Sequence, residues 1–461
     1  MSILTDPDVL ASFLADQSGL RGRALGVVRC RDLADVQELV RESVALRRPL
    51  LPVGCQTATS GAASPAGDVV ASMTAMAGVV DIDRESRVAE VLPGTITSVL
   101  KAAVEDAGLY YPPDPTSEHE STIGGNVASN ASGARTFRWG STRDWVDGVE
   151  VVTGAGETLR FRRSRVDKNT AGLLPFHDPV SLFVGSEGTL GVVTRVWLRL
   201  CGNPGPYVAF VLPFRALLDA LRAAVALRTR QVSVHPRCVE LFDAGALKML
   251  ATHARAPKLP AAAGAALYVE LDRAEAEDVE RLVARDLAQL LPFGLLLDDT
   301  IVGETAAEKA WIRDLRHHIP ETCNRAASEH HATGGLKVSA DFAVPPDRLL
   351  EMMAVVEESR VQHGVDVMVR YGHVGNGHPH VFMRGRNPDE VVRLRAIVLE
   401  WSDRVVAMGG TVAAEHGIGK TRRYLLPRQY PAAVLAAMNA VKRTFDPHGL
   451  MARGNIFEPA P

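Results

Sequence analysis

The chain has 461 residues, of which 46% are hydrophobic and 23% are charged, and its formal net charge is −3. The length predicts two or three domains, and the composition is that of a folded chain rather than a disordered one. The small net charge gives no electrostatic support for a nucleic-acid partner.

The sequence carries no sign of a membrane-spanning segment, a signal peptide or a metal cluster held by cysteines. Its longest apolar runs, such as AAAGAALYV from Ala261, are shorter than the roughly 20 residues that a spanning helix requires. Its start, MSILTDPDVL, has neither a basic nor an apolar signal region, and its five cysteines form no CxxC pair. We therefore expect a cytoplasmic protein without an iron–sulfur cluster of its own, which is compatible with peripheral contact at the inner membrane.

The first part of the chain alternates helical and extended patterns. Apolar residues recur at helical spacing behind Asp32, a candidate helix cap, and Gly108 ends a second amphipathic run. Between residues 111 and 191, glycine, serine and asparagine loops separate short strands, which is typical of backbone wrapped closely around a ligand. The predicted elements are helices at 32–48 and 95–108 and strands at 49–54, 86–94, 149–161 and 181–194.

The chain after residue 203 returns to regular strand and helix patterns. Repeated strand–helix–strand units predict an α+β domain with an antiparallel sheet that helices cover on one face. The predicted strands are 207–213, 265–271, 339–345 and 365–373, and the predicted helices are 274–291, 346–363 and 388–410.

Three loop segments in the first part have the small residues of a nucleotide-binding cradle. Backbone N–H groups in such loops can converge on a diphosphate because no side chain blocks the approach. The first segment matches neither GxGxxG nor a Walker loop, and alone it is equally typical of a plain surface loop. The segments are PLLPVGCQTATSGAA (49–63), PPDPTSEHESTIGGNVASNASGARTFRWGSTRDW (112–145) and FVGSEGTLGVVTRVWLRL (183–200).

With these three segments in this order, the chain resembles the FAD-linked dehydrogenases of D-2-hydroxy acids. That group includes D-lactate dehydrogenase, the glycolate oxidase flavin subunit and D-2-hydroxyglutarate dehydrogenase, and it belongs to the vanillyl-alcohol oxidase (PCMH-type) flavoproteins. The resemblance runs from about residue 20 to Phe457, and TIGGNVASNASGAR and GSEGTLGVVT are its most specific motifs. It implies a two-subdomain FAD-binding domain at 20–203, an α+β cap domain at 204–410 that carries a metal-binding hairpin, and a C-terminal segment at 411–461 that returns to the FAD-binding domain.

The resemblance implies non-covalent FAD, although the first loop departs from the family form at Val53, Cys55, Gln56, Ala58 and Thr59. A residue other than glycine costs about 1 kcal/mol where φ must be positive, so the contacts of this loop are open. A covalent link through Cys55 is the less favoured alternative. The implied FAD contacts are Gly54, Thr57 and Ser60 at the diphosphate, Pro115, Thr116, Gly124, Gly125, Asn126 and Ser129 around the flavin and diphosphate, Glu187, Gly188 and Val192 near the adenosine end, and Asn455 in the tail.

A later stretch, YGHVGNGHPHVF (371–382), carries three of the 14 histidines. A strand leads into a Gly-Asn-Gly turn, so His378 and His380 would share one face of the following strand, and His373 would face back toward them. A histidine-rich surface turn and a structural zinc clip are the plain alternatives, and the hairpin alone lacks a fourth ligand for a closed site. Glu415 and His416, on the glycine-rich turn GTVAAEHGIGKTRR (410–423), are the nearest candidates to complete it.

The resemblance implies that a divalent metal, zinc or manganese, is bound by His373, His380 and Glu415, with His416 as the catalytic base. His378 stands where the family has Asn, and it is left open as an orienting residue, a pocket wall or a further ligand. Two imidazoles and one carboxylate leave coordination positions for the hydroxyl and carboxylate groups of a 2-hydroxy acid. His416 would then take the hydroxyl proton, and hydride would pass to the flavin N5.

Two further positions bear on the substrate. The segment WIRDLRHHIPE (311–321) resembles the substrate-binding segment of the family and implies Arg316 as a bidentate clamp for the substrate carboxylate, whereas the alternative is a helix-surface arginine. Lys337 is a less favoured second candidate. Phe382 stands where the hydroxyglutarate enzymes carry Asn, which favours a smaller or more apolar acid such as lactate.

The implied activity is the oxidation of a D-2-hydroxy acid, D-lactate- or glycolate-like, to the 2-oxo acid. We expect a homodimer that passes electrons to an external acceptor, namely an electron-transfer flavoprotein, a cytochrome, a quinone or a separate iron–sulfur subunit, and direct use of oxygen is less favoured. Two alternatives stay open. One is a flavoprotein of the same fold that acts on another substrate without metal-dependent chemistry, and the other is a non-catalytic FAD-binding subunit of a larger complex.

Overall fold

The computed structural model describes residues 2–173, 176–274 and 278–458. Within these ranges the chain forms two compact units. Unit 1 contains the described residues up to Gly133, Gly140–Asn203 and the described residues from Glu415 onward. Unit 2 contains Ala134–Trp139 and Pro204–Ala414. The predicted division of the chain at residues 203 and 410 stays a prediction.

A three-stranded parallel sheet lies at the start of unit 1. Its elements are α1 (Pro7–Ala11), β1 (Arg23–Arg29), α2 (Leu33–Ala45), β2 (Leu50–Val53) and β3 (Ala66–Ser72). The strand order is β1–β3–β2. Asp32 caps α2 as predicted, because its side chain accepts a hydrogen bond from the Asp35 N–H at 2.9 Å. The apolar face of α2, with Val36, Leu39 and Val40, is buried in a core that it shares with the sheet.

A five-stranded antiparallel sheet forms the second part of unit 1, so the two-subdomain fold is confirmed. The next elements in the chain are β4 (Val79–Asp83), β5 (Val88–Val91), α3 (Thr97–Asp106), β6 (Leu109–Tyr110), α4 (Ile123–Ser129), α5 (Thr136–Trp139, in unit 2), α6 (Thr142–Trp145), β7 (Val146–Thr153), β8 (Thr158–Arg162), α7 (Val180–Phe183), β9 (Gly191–Arg199) and β10 (Cys201–Gly202). The strand order is β4–β5–β9–β7–β8, and β6 pairs with β10. The predicted strand at 181–194 is wrong before Gly191, because helix α7 ends at Phe183 and turns connect it to β9. A short apolar run does not distinguish a helix from a strand, and here Phe183 is buried beside Phe161 and Phe445.

Unit 2 is built on a seven-stranded antiparallel sheet. Its elements after α5 are β11 (Tyr207–Phe214), α8 (Leu217–Arg228), β12 (Cys238–Asp243), α9 (Ala244–Leu250), β13 (Ala265–Asp272), α10 (Val279–Arg285), β14 (Ile301–Gly303), α11 (Ala306–Ser328), β15 (Leu336–Ala340), α12 (Leu349–Gln362), β16 (Met368–Gly372), β17 (His380–Gly385) and α13 (Pro388–Ala407). The strand order is β14–β11–β13–β12–β16–β17–β15. The predicted α+β class and antiparallel sheet are confirmed.

Helices cover both faces of this sheet, so the prediction of cover on one face is wrong. Val208 and Phe210 of β11 pack into a core with α8, α12 and α13, whereas Ala209 and Val211 pack into a second core with α9 and α11. Since both sets are buried, β11 reads as a continuous apolar run rather than as an alternating pattern. The sequence pattern of β11 alone therefore does not show that helices cover both faces of the sheet.

Several predicted elements have other bounds in the structure. The predicted strand at 149–161 is two antiparallel strands, β7 and β8, joined by a turn. The predicted strand at 339–345 is β15, which ends at Ala340. The predicted helix at 274–291 is α10 followed by a 3-10 helix, and residues 275–277 lie outside the described residues. Short 3-10 helices occur at Leu287–Phe293, Leu297–Asp299, His331–Thr333, Pro346–Arg348, Val374–Asn376 and Arg423–Leu425.

The C-terminal part of unit 1 contains α14 (Leu426–Gln429) and α15 (Ala432–Phe445) and then returns to the parallel sheet, where Met451 bridges Leu50. Asp446 stabilises the turn through which the C-terminal chain returns to the parallel sheet. Its buried carboxylate accepts hydrogen bonds from the N–H groups of Leu450 and Met451 and pairs with Lys442. Across the described ranges, no helix is both long and apolar enough to cross a membrane.

We expect the substitution Asp446→Asn to lower the free energy of unfolding by about 1–3 kcal/mol, because an amide removes the charge beside Lys442 and one of two acceptor oxygens. Chemical denaturation measures the change. Asp81→Asn, at an exposed position of β4, is the matched control. Equal stability of the two variants would contradict this role of Asp446.

Candidate functional site

The three histidines of the hairpin form one cluster in unit 2. Tyr371 of β16 lies opposite His380 of β17, and a 3-10 turn joins the two strands. The ring centroids lie 5.4 Å apart for His373 and His378, 5.2 Å for His373 and His380, and 4.7 Å for His378 and His380. His378 precedes β17, so its ring reaches the cluster from the turn rather than from the strand face that the spacing predicted.

The position of the His380 ring depends on Gly372, the last residue of β16. Gly372 has φ +87°, and a Cβ atom there would lie 2.6 Å from His380 Cδ2. Any side chain at this position would therefore be strained in its backbone and would displace the imidazole.

Asp341, which the sequence analysis did not single out, joins this cluster from the residue after β15. Its Oδ1 lies 3.0 Å from His378 Nε2, and both side chains are buried. Ligand atoms of Asp341, His378 and His380 all lie within 4.8 Å of one another. Imidazole and carboxylate donors suit zinc or manganese, so these residues fit a divalent metal.

A second carboxylate, Glu240 of β12, holds His373. Glu240 Oε1 lies 2.6 Å from His373 Nδ1, and Arg316 of α11 donates from Nε to Glu240 Oε2 at 2.7 Å. Burial alone would raise the pKa of Glu240, but Arg316 and His373 hold that pKa well below its usual range. The contact leaves Nε2 as the ring nitrogen that can face a metal, which is how carboxylates support histidine ligands. Arg316 is an ion-pair partner with 13% of its side chain exposed, so the alternative of a helix-surface arginine is wrong.

Glu415 and His416 lie at the start of the C-terminal part of unit 1. Glu415 follows Ala414, the last residue of unit 2. Within unit 1, Ser132 Oγ donates to Glu415 Oε2 at 3.1 Å, and His416 Nε2 lies 3.6 Å from Glu415 Oε1. Ser132 belongs to the NASGAR motif and is a contact that the sequence analysis missed.

Glu187 anchors the turn that follows His416. Its carboxylate accepts hydrogen bonds from the N–H groups of Ile418 at 2.7 Å and Gly419 at 2.8 Å. Burial raises the pKa of Glu187 to about 7. Gly417 has φ +75°, and a Cβ atom there would lie 2.6 Å from Glu187 Oε1, so the turn needs glycine to reach this carboxylate. The predicted contact between Glu187 and the adenosine end of FAD stays a prediction.

The predicted FAD loops of unit 1 fit a flavin nucleotide. Thr59 Oγ1 is buried and has no hydrogen-bond partner among the described residues. A Cβ atom on Gly125 would lie 3.1 Å from Thr122 Oγ1, which is a tight contact, so glycine lets Thr122 approach this backbone closely. Of the five replaced positions in the first loop, only Gln56 has a positive φ, +57°, and its amide donates to the Ala15 carbonyl at 2.7 Å. The replacements therefore keep the loop intact at the cost of one strained residue.

The other predicted FAD-binding residues differ in how far they are buried. Thr116 is exposed, and Gly54, Thr57, Gly124 and Ser129 are partly exposed. Several others use their polar groups or their bulk within the protein, and their contacts with FAD remain predictions. These are Ser60, whose carbonyl accepts from Lys420 and Thr421, Asn126, which donates to Thr97, Asn455, which donates to the carbonyls of Ala62 and Glu187, Gly188, which packs against Pro52, and the buried Pro115 and Val192.

The two substrate-related positions on the sheet give little support to the sequence expectations. Phe382 is completely buried in the apolar core beneath α11. Core packing therefore explains the apolar residue at position 382 at least as well as the size of a substrate does. Lys337 donates to Asn324 at 2.9 Å, on exposed parts of β15 and α11.

Two models of known families match this chain. Residues 206–456 match the family described as FAD linked oxidases, C-terminal domain, and residues 24–162 match the FAD binding domain. The chain belongs to the FAD-linked oxidase family. As predicted, its relatives include a D-2-hydroxyglutarate dehydrogenase, a D-lactate dehydrogenase and glycolate oxidase subunits.

Two relatives and one solved structure illustrate the likeness of this FAD-linked oxidase. A D-2-hydroxyglutarate dehydrogenase of Stutzerimonas stutzeri is 32% identical, over 99% of this chain and 96% of the relative. A glycolate oxidase subunit of Bacillus subtilis is 30% identical, over 94% of this chain and 88% of the relative. A structure of alkyldihydroxyacetonephosphate synthase has a TM-score of 0.66 and 18% identity, over 92% of this chain and 76% of that one, which shows a shared fold.

We expect Glu187→Gln to loosen the turn of this FAD-linked oxidase, because an amide nitrogen cannot accept the hydrogen bond that a carboxylate oxygen accepts. Hydrogen–deuterium exchange should become faster at the amides of Ile418 and Gly419. Glu157→Gln, on an exposed hairpin of the same unit, is the control. Unchanged exchange at both amides would show that the turn does not depend on Glu187.

We expect His378→Asn to weaken zinc or manganese binding by about 10- to 100-fold, because it removes an imidazole from the cluster. Competition with a metal chelator measures the affinity without reference to turnover. His235→Asn, at an exposed position of unit 2, should bind the metal as the parent does. An unchanged affinity in His378→Asn would assign His378 to the pocket wall.

Proposed function

We propose that the protein oxidises D-2-hydroxy acids to 2-oxo acids. The observation that carries this proposal is the cluster of three imidazoles and Asp341 in unit 2, joined through Glu240 to the arginine at 316. The names of the relatives support it, since hydroxyglutarate and glycolate are both 2-hydroxy acids. FAD, when bound, supplies the acceptor for the two electrons of such an oxidation.

The chain's own residues would hold a divalent cation at the cluster. We propose His378, His380 and Asp341 as ligands, with His373 through Nε2 and with Glu415 as a further carboxylate. Such a cation acts as a Lewis acid that lowers the pKa of a hydroxyl group. Glu240 and Asp341 fix the directions of two rings in advance, so little reorganisation would accompany binding of the ion.

His416 is proposed as the general base that takes the hydroxyl proton at a ring nitrogen. A neutral imidazole can accept a proton near pH 7, which suits this step. The hydrogen bond of Glu187 to the turn after His416 limits the freedom of this segment. The residue would therefore be presented in a defined direction.

Arg316 is proposed to bind the carboxylate of the hydroxy acid. A guanidinium carries five N–H donors in a planar fork, and the bond from Nε to Glu240 fixes the direction of that fork. Lysine could not reproduce this arrangement, because its ammonium group is a point charge on a flexible stem. The external electron acceptor and the homodimer stay predictions.

Anaerobic stopped-flow spectroscopy tests the proposal with FAD-loaded protein. We expect flavin absorbance to bleach with at least one of D-lactate, glycolate and D-2-hydroxyglutarate, and L-lactate serves as the stereochemical control. His416→Asn should slow bleaching by about 10²- to 10⁴-fold, the usual contribution of a general base. Removal of metal with a chelator should slow it as well.

The absence of bleaching with every D-acid, in protein whose flavin dithionite still reduces, would refute hydroxy-acid oxidation. Bleaching that a chelator does not affect would refute the metal's role alone. Protein that cannot be loaded with FAD would instead favour the non-catalytic subunit.

A further inference from the structure

A group of cations surrounds the ring of Tyr207 at the start of β11 in unit 2. The guanidinium carbons of Arg135 and Arg237 lie 5.2 and 4.6 Å from the ring centroid, and Lys309 Nζ lies 4.7 Å from it. Arg313 donates a hydrogen bond to the Tyr207 hydroxyl at 3.3 Å. We call Arg135, Arg237, Lys309, Arg313 and Tyr207 the Tyr207 group.

Two of the four cations in the Tyr207 group have carboxylate partners. Arg135 pairs with Glu270, and Arg237 pairs with Asp272. Lys309 and Arg313 have no carboxylate within ion-pair distance among the described residues. The group therefore carries two positive charges in excess.

The surroundings act differently on the two cations that have no carboxylate partner. Burial, together with the positive charges of Arg273 and Arg237, lowers the pKa of Lys309. Arg313 lies beside Arg135 and the Tyr207 ring, and although burial opposes it, the contact with Tyr207 raises the pKa of Arg313. Arg313 therefore carries its charge beside Lys309, and cations gathered in a region of reduced dielectric attract an anion.

The two cations without carboxylate partners lie on the helix that carries Arg316. Lys309, Arg313 and Arg316 follow the spacing i, i+4, i+7, which places them along one face of α11. Three residues of helix rise by about 4.5 Å, so the backbones of Arg313 and Arg316 are separated by roughly the length of a short diacid.

Polar side chains of the sheet continue the same path. Glu240, the partner of Arg316, lies opposite Tyr268 on β13, and the Tyr268 hydroxyl donates to Glu270 at 2.6 Å. Glu270 in turn pairs with Arg135 of the Tyr207 group. A polar row thus connects the histidine cluster with the cations that have no carboxylate partner.

We propose that Lys309, Arg313 and the Tyr207 hydroxyl bind the second acidic group of a D-2-hydroxy acid that carries a carboxylate at each end. The inference rests on the proposed function, in which Arg316 and the metal cluster bind the hydroxy-acid end. It narrows the substrate to diacids, in contrast to the lactate-like acid that Phe382 suggested in the sequence. The alternative is that the cations stack on the aromatic ring for a purely structural reason and bind no anion.

Steady-state kinetics with a dye acceptor tests the proposal in FAD-loaded, full-length protein. Arg313→Met and Lys309→Met remove one charge each and keep the apolar stem. For each variant we expect the ratio of kcat/KM for D-2-hydroxyglutarate to kcat/KM for D-lactate to fall about 10- to 100-fold, the effect of losing one charge-assisted hydrogen bond. Arg325→Met, at an exposed position of the same helix, should leave the ratio unchanged.

Calorimetric titration with glutarate, which has no hydroxyl group to oxidise, separates this inference from the proposed function. Glutarate should bind the parent protein and bind Arg313→Met at least tenfold more weakly. If no hydroxy acid reduces the flavin but this difference is found, the proposed function fails and the anion site stands. Three outcomes would overturn the inference. The ratio could stay unchanged in both variants, kcat/KM could fall equally for both acids, or Arg325→Met could lower the ratio as much as the other variants do. If Arg313→Met fails to retain FAD, Lys309→Met decides the outcome.

Discussion

The burial of one carboxylate, Glu240, determines much of the arrangement in unit 2. Every residue of β12 is buried, and an unpaired charge in such a position would cost several kcal/mol. Arg316 and His373 share that charge, so α11 must lie over the sheet with Arg316 pointing inward, and the His373 ring must turn its Nδ1 toward the strand. The requirement to satisfy one buried anion therefore orients both the ring that we propose as a metal ligand and the guanidinium group that we propose as a substrate contact.

Unit 1 uses a buried carboxylate in the same way, although its partners are backbone groups. Glu187 accepts two N–H groups of the turn after His416, and glycine at 417 lets the turn approach closely enough. The carbonyl of Ser60 in the first FAD loop receives hydrogen bonds from Lys420 and Thr421, which follow the same turn. One short segment is thus held by two of the predicted FAD-binding stretches, so occupancy of those stretches and the order of the His416 turn are physically connected.

Local patterns in the sequence predicted the α+β class of the second part of the chain, most of the elements and the grouping of the three histidines, because periodicity and turn spacing act over a few residues. The two-subdomain FAD-binding fold was implied by the resemblance of the three loop segments to a known family. Local patterns did not predict contacts between residues that lie far apart in the sequence. Asp341 meets His378 across 37 residues, Glu240 meets His373 across 133, and Ser132 meets Glu415 across 283. A weak signal for Glu240 did exist, since an acidic residue in the run CVELFD is unexpected on a buried strand. The start of 181–194 was misjudged for the opposite reason, because its apolar residues satisfy a helix and a strand equally well.

Helix α11 shows how charge pairing separates structural cations from those available to a ligand. Arg316 is compensated by Glu240, and this pair would be needed even in the absence of any substrate, because it neutralises a buried strand. Lys309 and Arg313 have no carboxylate partner among the described residues, and both contact Tyr207 from the helix that carries Arg316. Cations without a fixed counter-charge attract an anionic ligand more readily than cations that are already held in an ion pair. By this argument the cations without a carboxylate partner carry more information about the substrate than Phe382, whose full burial already explains its apolar character.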